Sequence, residues 1–191
     1  MARHERMFRH EHAHKLDDPE RETWLPVAVV VQQLGLRPGM HVADIGAGTG
    51  YFAIPMARAV SPGGRVLAVD VQPEMLDRLR ARLEPGAPVA LVEGEATRTT
   101  LADLAVDLAF YANVWHEFDD REAALAEAAR ILKPGGRITI LDWRPDVEQP
   151  PGPPLAHRIG VAEVEAALRK GGWKIEAPRT VGLYSYLVVA T

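Results

Sequence analysis

No cysteine occurs among the 191 residues, which excludes disulfide frameworks, thiolate zinc sites and cysteine nucleophiles. Long apolar runs are missing as well. Stretches such as residues 25–31 fall far short of the roughly 20 residues that a membrane-spanning helix needs. The polar opening Met1-Ala2-Arg3-His4 has no apolar signal core behind it, so a cytoplasmic protein is expected. Excess positive charge is also lacking. Twenty-two Lys and Arg against 26 Asp and Glu leave a net charge of −4, which argues against a nucleic-acid backbone as the main partner. What is present is the balance of an ordinary globular domain, 47% hydrophobic and 25% charged, long enough to bury a real core.

No internal repeat is visible. Residues 1–21 are polar and rich in histidine, acid and arginine, and 20–22 read as a solvated face. Residues 25–36 then predict a helix, with Pro26 suited to its first position and Gly35 near its end. Strands and helices alternate from there. Strands are predicted at 41–45, 65–69, 88–92, 106–111 and 137–141. Helices are predicted at 51–60, with Pro55 either in the first turn or kinking the helix, at 73–83 and at 121–132. In 73–83, Pro73 opens the helix and Met75, Leu76, Leu79 and Leu83 share one face. Asp119 and Glu122 are placed to cap 121–132, and Lys133-Pro134-Gly135-Gly136 stops it.

Several of these strands are continuous apolar runs, the pattern of strands covered on both faces. Alternation with helices means a parallel, doubly wound sheet. The tail departs from this rhythm. After the Pro-rich segment 145–154 comes a helix at 161–170, then extended runs at 173–180 and 184–190. Only three residues separate those runs, which permits a hairpin but not a parallel crossover. The sheet should therefore end in an antiparallel pair.

The first strand runs into Gly46-Ala47-Gly48-Thr49-Gly50, a βα turn whose small residues let a ligand approach the backbone. Alone such a turn is unspecific, and a tight turn without a ligand would look the same. Asp44 lies two residues before it, and a buried carboxylate there needs a partner, which a ligand amine would supply directly or through water. Asp70 closes the second strand, where α/β nucleotide sites place an acid for the ribose hydroxyls. A dinucleotide fingerprint would carry its third glycine one residue later. A pyrophosphate would also be repelled by Asp44, whereas a zwitterionic amino acid would not.

Asp44-Ile45-Gly46-Ala47-Gly48-Thr49-Gly50 resembles motif I of the class I S-adenosylmethionine (SAM)-dependent methyltransferases. Asp70 matches the ribose-binding acid of that family. The run from Leu125 to Gly136, LAEAARILKPGG, is similar to the helix-and-turn signature before its fifth strand. The similarity extends from about residue 38 to the C-terminus and is nearest the small-molecule branch that includes the quinone-ring methyltransferases. It implies a Rossmann-like, doubly wound α/β sheet of seven strands, mostly parallel with the last strand antiparallel. It also implies SAM as cofactor, S-adenosylhomocysteine as product, and cofactor contacts from Asp44, Gly46, Ala47, Gly48, Gly50, Tyr51 and Asp70. Val71 and Gln72 would flank the adenine and ribose. Gly94, Glu95 and Ala96 would hold the adenine, with Glu95 standing where the family often has aspartate. Asn113 and Val114 would lie beside the methionine part.

Methyl transfer from a sulfonium needs alignment more than acid–base help, and a base only when the acceptor must lose a proton. His116, just past the fourth strand, is the candidate. Trp115, Phe118 and Trp143 are either walls of an acceptor pocket or plain packing. His4, His10, His12 and His14 crowd the N-terminus, and alternating histidines can bind metal. No acidic or thiol partner completes a ligand set, so no metal site is assigned. Instead residues 1–36 are expected to form an arm and helix that fold over the cofactor mouth, as N-terminal segments do in that family, with His12, Lys15 and Leu16 as lid residues. The methyltransferase domain itself would span 37–191.

The expected function is methyl transfer to a small-molecule acceptor, aromatic or quinone-like. Methylation of protein or RNA is the alternative, against which stand the acidic balance and the lack of an Asn-Pro-Pro-Tyr motif. A SAM- or nucleotide-binding module without turnover is another. Arsenite methylation depends on cysteines and is set aside. The sequence leaves the oligomeric state open.

Overall fold

The structure is a computed structural model that describes residues 7–147 and 151–191. His4 and part of the Pro-rich segment lie outside the described residues. Seven strands, β1 (His41–Ile45), β2 (Arg65–Asp70), β3 (Val89–Glu93), β4 (Val106–Ala112), β5 (Leu132–Trp143), β6 (Arg179–Val181) and β7 (Ser185–Ala190), form one sheet in the order 3-2-1-4-5-7-6. The pairs along β3-β2-β1-β4-β5 are parallel, and β7 runs antiparallel to both β5 and β6. The hairpin expected from the short link at the C-terminus is thus present. Its first arm is shorter than the sequence suggested. Of 173–180, only Arg179 and Thr180 join β6, and Ile175 makes an isolated bridge to Ala190.

Successive residues of the central strands point to opposite faces, and both faces are covered. Val42, Val66, Leu108 and Phe110 pack under α2 (Val27–Gln33) and α3 (Ala53–Val60). Ala43, Ile45, Ala109 and Tyr111 pack under α5 (Arg121–Ile131) and α6 (Val161–Lys170). Every strand position is therefore worth filling with an apolar side chain, at about 1.5–3 kcal/mol for each large one buried. That is why these strands read as unbroken apolar runs. α4 (Pro73–Arg82) opens on Pro73 as predicted, burying Met75, Leu76 and Leu79.

Two predicted helix starts need correction. Residues 25–36 shrink to α2, and Pro26 is its N-cap, with extended ψ, rather than its first helical residue. The cap of α5 is Asp120, not Asp119; its side chain accepts the Ala123 N–H at 2.9 Å. Aspartate at either position fits the sequence pattern, and the chain direction at the turn decides between them.

From residue 7, a 3-10 helix at His10–Lys15 and the short α1 (Arg21–Trp24) carry the chain across the carboxyl ends of β1, β2 and β4. Among the described residues no helix is long and apolar enough to cross a membrane.

Candidate functional site

Strand order reverses at β1, which pairs β2 on one side and β4 on the other. Crevices at such reversals, outside the carboxyl ends of the strands, are where open α/β sheets take ligands. The glycine turn starts there. Gly46 has φ +75°, and a Cβ on it would stand 2.6 Å from Val114 Cγ1, so only glycine lets the two loops meet. The Gly46 and Ala47 N–H groups both donate to the Val69 carbonyl, fixing the turn against β2.

Asp70 ends β2 with its carboxylate already oriented. Oδ2 accepts the Gly48 N–H at 2.8 Å and Oδ1 the Gln72 N–H at 2.9 Å. Burial nevertheless raises its pKa, since these backbone donors only partly offset the loss of water. Asp44 is in a harsher place. It is 2% exposed, and its Oδ2 is buried without a hydrogen-bond partner. Burial, with the Asp70 charge adding to it, pushes its carboxyl up to about 7 against the weaker pull of Arg21. A buried carboxylate oxygen without a partner is costly, and it is chemically complementary to a cationic amine.

Asn113 lies past β4 with φ +56°, and both its amide atoms are buried without partners. Its backbone N–H is held by the Leu141 carbonyl at 2.7 Å. Val114 presses on Gly46. At the outer end of the crevice, Val71, Gly94 and Glu95 line a cleft of about 660 Å³ together with Arg98 and Thr100. Ala96 is half-buried behind it, against the core on the α5 side. Tyr51, following the turn, has its hydroxyl 2.6 Å from the Leu25 carbonyl and 2.9 Å from Glu22 Oε2, with one proton to donate to either. The Gln72 side chain is taken up by the arm, donating to the Phe8 carbonyl at 2.8 Å and accepting the His10 N–H at 2.9 Å.

His116 is 3% exposed in the 3-10 turn Trp115–Glu117. Its Nδ1 is 2.8 Å from Asp142 Oδ1, and its backbone N–H donates to Asp142 Oδ2 at 2.9 Å. Burial pulls the imidazole pKa down, but the Asp142 charge and hydrogen bond, with Glu117 adding, leave it raised. Glu117 stands 3.9 Å from His116 Nε2 and accepts the Phe8 N–H of the arm at 3.2 Å. Burial raises its carboxyl to about 7. Trp115 and Phe118 pack edge-on with Tyr111, and Trp143 stacks at a tilt on Trp24.

The expected lid residues divide. Leu16 Cδ1 lies over Gly48, 3.2 Å from where a Cβ would be, and neighbouring Asp17 accepts the Thr49 hydroxyl at 2.7 Å. His12 and Lys15 are exposed. No group of three or more metal-ligating side chains occurs among the described residues.

Sequence reasoning missed three residues here. Asp142 had a signal, an acid at a strand end like Asp70. Glu117 had only its neighbour His116. Arg21 had none: the polarity of 20–22 is that of a solvated face, yet Arg21 is 6% exposed while Glu20 and Glu22 face water.

Comparison with known proteins agrees with this architecture. Residues 43–140 match the family described as Methyltransferase domain. A SAM-dependent methyltransferase from Aquifex aeolicus is 31% identical, with a TM-score of 0.90 over 96% of this chain and 98% of that one. A ubiquinone/menaquinone biosynthesis C-methyltransferase from Cupriavidus taiwanensis is 38% identical over 122 residues, 60% of this chain and 49% of that protein. An uncharacterized 37.1 kDa transposon protein from Streptomyces fradiae is 37% identical over 118 residues, 61% of this chain and 34% of that protein. The chain thus spans between a third and half the length of these two curated relatives. With half its length inside the family match and a full-length structural relative above 30% identity, the chain belongs to the SAM-dependent methyltransferases of the methyltransferase domain family.

Proposed function

We propose that this chain transfers the methyl group of SAM to a small-molecule acceptor of aromatic or quinone-like type. The observation that carries the reading is the orphaned Asp44 oxygen beside the glycine turn, with Asp70 fixed opposite it. These residues fit the cofactor. Asp44 would take the ammonium of its methionine part, and Asp70 would accept from the ribose hydroxyls. Gly46, Ala47, Gly48, Gly50 and Tyr51 would give it a close backbone wall. Val71, Gln72, Gly94, Glu95 and Ala96 would bound the adenine, and Asn113 and Val114 the methionine side. SAM brings a methyl group on a sulfonium centre, so the leaving group is already activated.

The protein's share of the work is alignment, water exclusion and proton management. The arm, described from residue 7 to 36, serves as the lid: its contacts to Gly48, Thr49, Gln72 and Glu117 roof the crevice. His116 is the proton acceptor. Asp142 on Nδ1 leaves Nε2 as the basic nitrogen and stabilises the imidazolium once it forms. A ring-carbon acceptor needs such a group, because the carbon must shed its proton after methylation. The name of the Cupriavidus relative, a C-methyltransferase of quinone biosynthesis, supports that chemistry.

The test is incubation with methyl-labelled SAM and a panel of hydroquinones and phenols, with a protein extract and RNA in parallel. Label in a small product supports the reading. Label only in protein or RNA, or none anywhere while SAM binds, would replace it.

A further inference from the structure

Arg21 is a charged side chain buried where packing alone would favour an apolar one. It opens α1 in the arm, is 6% exposed, and its Nε is buried without a hydrogen-bond partner. Nη1 donates to the Leu16 carbonyl at 3.2 Å. The guanidinium carbon stands 4.0 Å from the centroid of the Tyr51 ring, directly after the glycine turn. Burial draws its pKa down to about 10, opposed by Tyr51, Asp17 and Asp44, so it stays charged at neutral pH. Arginine buried to this degree is normally paired with a carboxylate. Among the described residues no carboxylate forms an ion pair with it.

We propose that Arg21 recognises the α-carboxylate of the cofactor's methionine part, and that with Asp44 it forms a receptor for a zwitterion. The inference rests on the cofactor reading above. The two unpaired charges bracket the glycine turn. Asp44 precedes it with an oxygen that has no donor, and Arg21 stands over Tyr51 behind it with an N–H that has no acceptor. An amino acid end group answers both at once, and a planar guanidinium suits a carboxylate in particular. Neither a nucleotide phosphate nor a bare adenosine would satisfy both residues.

The placement has a mechanical consequence. Arg21 belongs to the arm, whereas Asp44 belongs to the sheet. A ligand carrying both charges therefore ties the arm down onto the turn, adding to the Leu16–Gly48 and Asp17–Thr49 contacts. A ligand without the carboxylate leaves that tie unmade.

The experiment is calorimetric titration of the full chain with S-adenosylhomocysteine and with its decarboxylated analogue, which keeps the ammonium. The parent protein should bind the carboxylate-bearing ligand roughly ten- to hundredfold more tightly. Arg21→Met should erase that gap while leaving affinity for the decarboxylated analogue within about twofold, and Arg21→Lys should restore part of it. A gap that survives in Arg21→Met, or a variant that loses both ligands equally, would overturn the proposal in favour of a structural role. Should Arg21→Met fail to fold, the parent and Arg21→Lys decide: equal affinities in the parent overturn it, and a narrowed gap in Arg21→Lys supports it. If the parent binds neither ligand, the cofactor reading itself has failed and this inference falls with it.

Discussion

Two buried carboxylates in this protein are treated in opposite ways. Glu127, on α5 behind the sheet, is 7% exposed and fully engaged. It accepts from the Thr99 N–H and hydroxyl at 2.7 and 2.6 Å and from Arg130 at 2.8 and 2.7 Å. Its Arg130 and Thr99 partners outweigh burial and hold its pKa down at about 2. Asp44, at the mouth of the sheet, is 2% exposed, with one oxygen that has no partner and a pKa pushed up to about 7. The first acid completes a network that ties α5 to the Thr99 loop. The second is left incomplete, and the cofactor ammonium proposed above would complete it. Of the buried polar groups without a partner, Asp44, Asn113 and Arg21 flank the crevice, whereas others, such as Thr139 within β5, lie away from it. A binding site of this kind is marked less by what its residues do than by the bonds they leave unmade.

Substitution of the two acids should separate these roles. Asp44→Asn should weaken SAM binding most, by roughly 3–5 kcal/mol, because it removes one partner of a desolvated charge pair. The same change should stabilise the ligand-free fold. The folded chain holds a proton on Asp44 that the unfolded chain releases, so ligand-free stability falls as pH rises from 3.8 toward 7. Asparagine should flatten that slope, which thermal melts across the range would show. A parent protein with no such decline would mean that Asp44 is satisfied in some other way.

Glu127→Gln should do the reverse, costing about 1–3 kcal/mol of stability in denaturant titration with SAM affinity unchanged. Its contribution is present above pH 4.5 and is lost as pH falls toward 2. Asp70→Ala falls between these two. It removes the acceptor of the Gly48 and Gln72 N–H groups and should weaken SAM binding by roughly 1–3 kcal/mol by calorimetry. Smallest at the level of binding is His116→Ala, which should leave SAM affinity intact and slow only the transfer step in single-turnover assays. Equal rates in parent and variant would remove His116 from the mechanism.

The contrast also explains what was legible in the sequence. Strand β1 and helix α6 fall where the apolar pattern puts them, because a pattern dictated by packing on both faces is written in the residues themselves. That Gly46, Asp44 and Asp70 share one crevice was legible because a strand-to-helix turn at a fixed spacing from a strand-end acid is a local feature. The arm was not. Arg21 lies among Glu20, Glu22 and Thr23, whose polarity is that of any exposed turn. Its burial depends on Tyr51 and Leu16, contacts that no local pattern encodes. The Asp142–His116 pair joins residues 26 apart on neighbouring segments, and it becomes visible only once β4 and β5 lie side by side. Asp120 displaced Asp119 as the α5 cap for a similar reason, since the turn geometry chose between two equal side chains.

The proposed SAM site centres on the unmet acid at the sheet's switch point. Calorimetric titration of the purified chain with SAM, S-adenosylhomocysteine and NAD, repeated on Asp44→Asn, tests it most directly. The parent should bind both adenosyl ligands and not NAD, and Asp44→Asn should lose most of that affinity. Binding of NAD, or adenosyl-ligand affinity indifferent to Asp44, would contradict it.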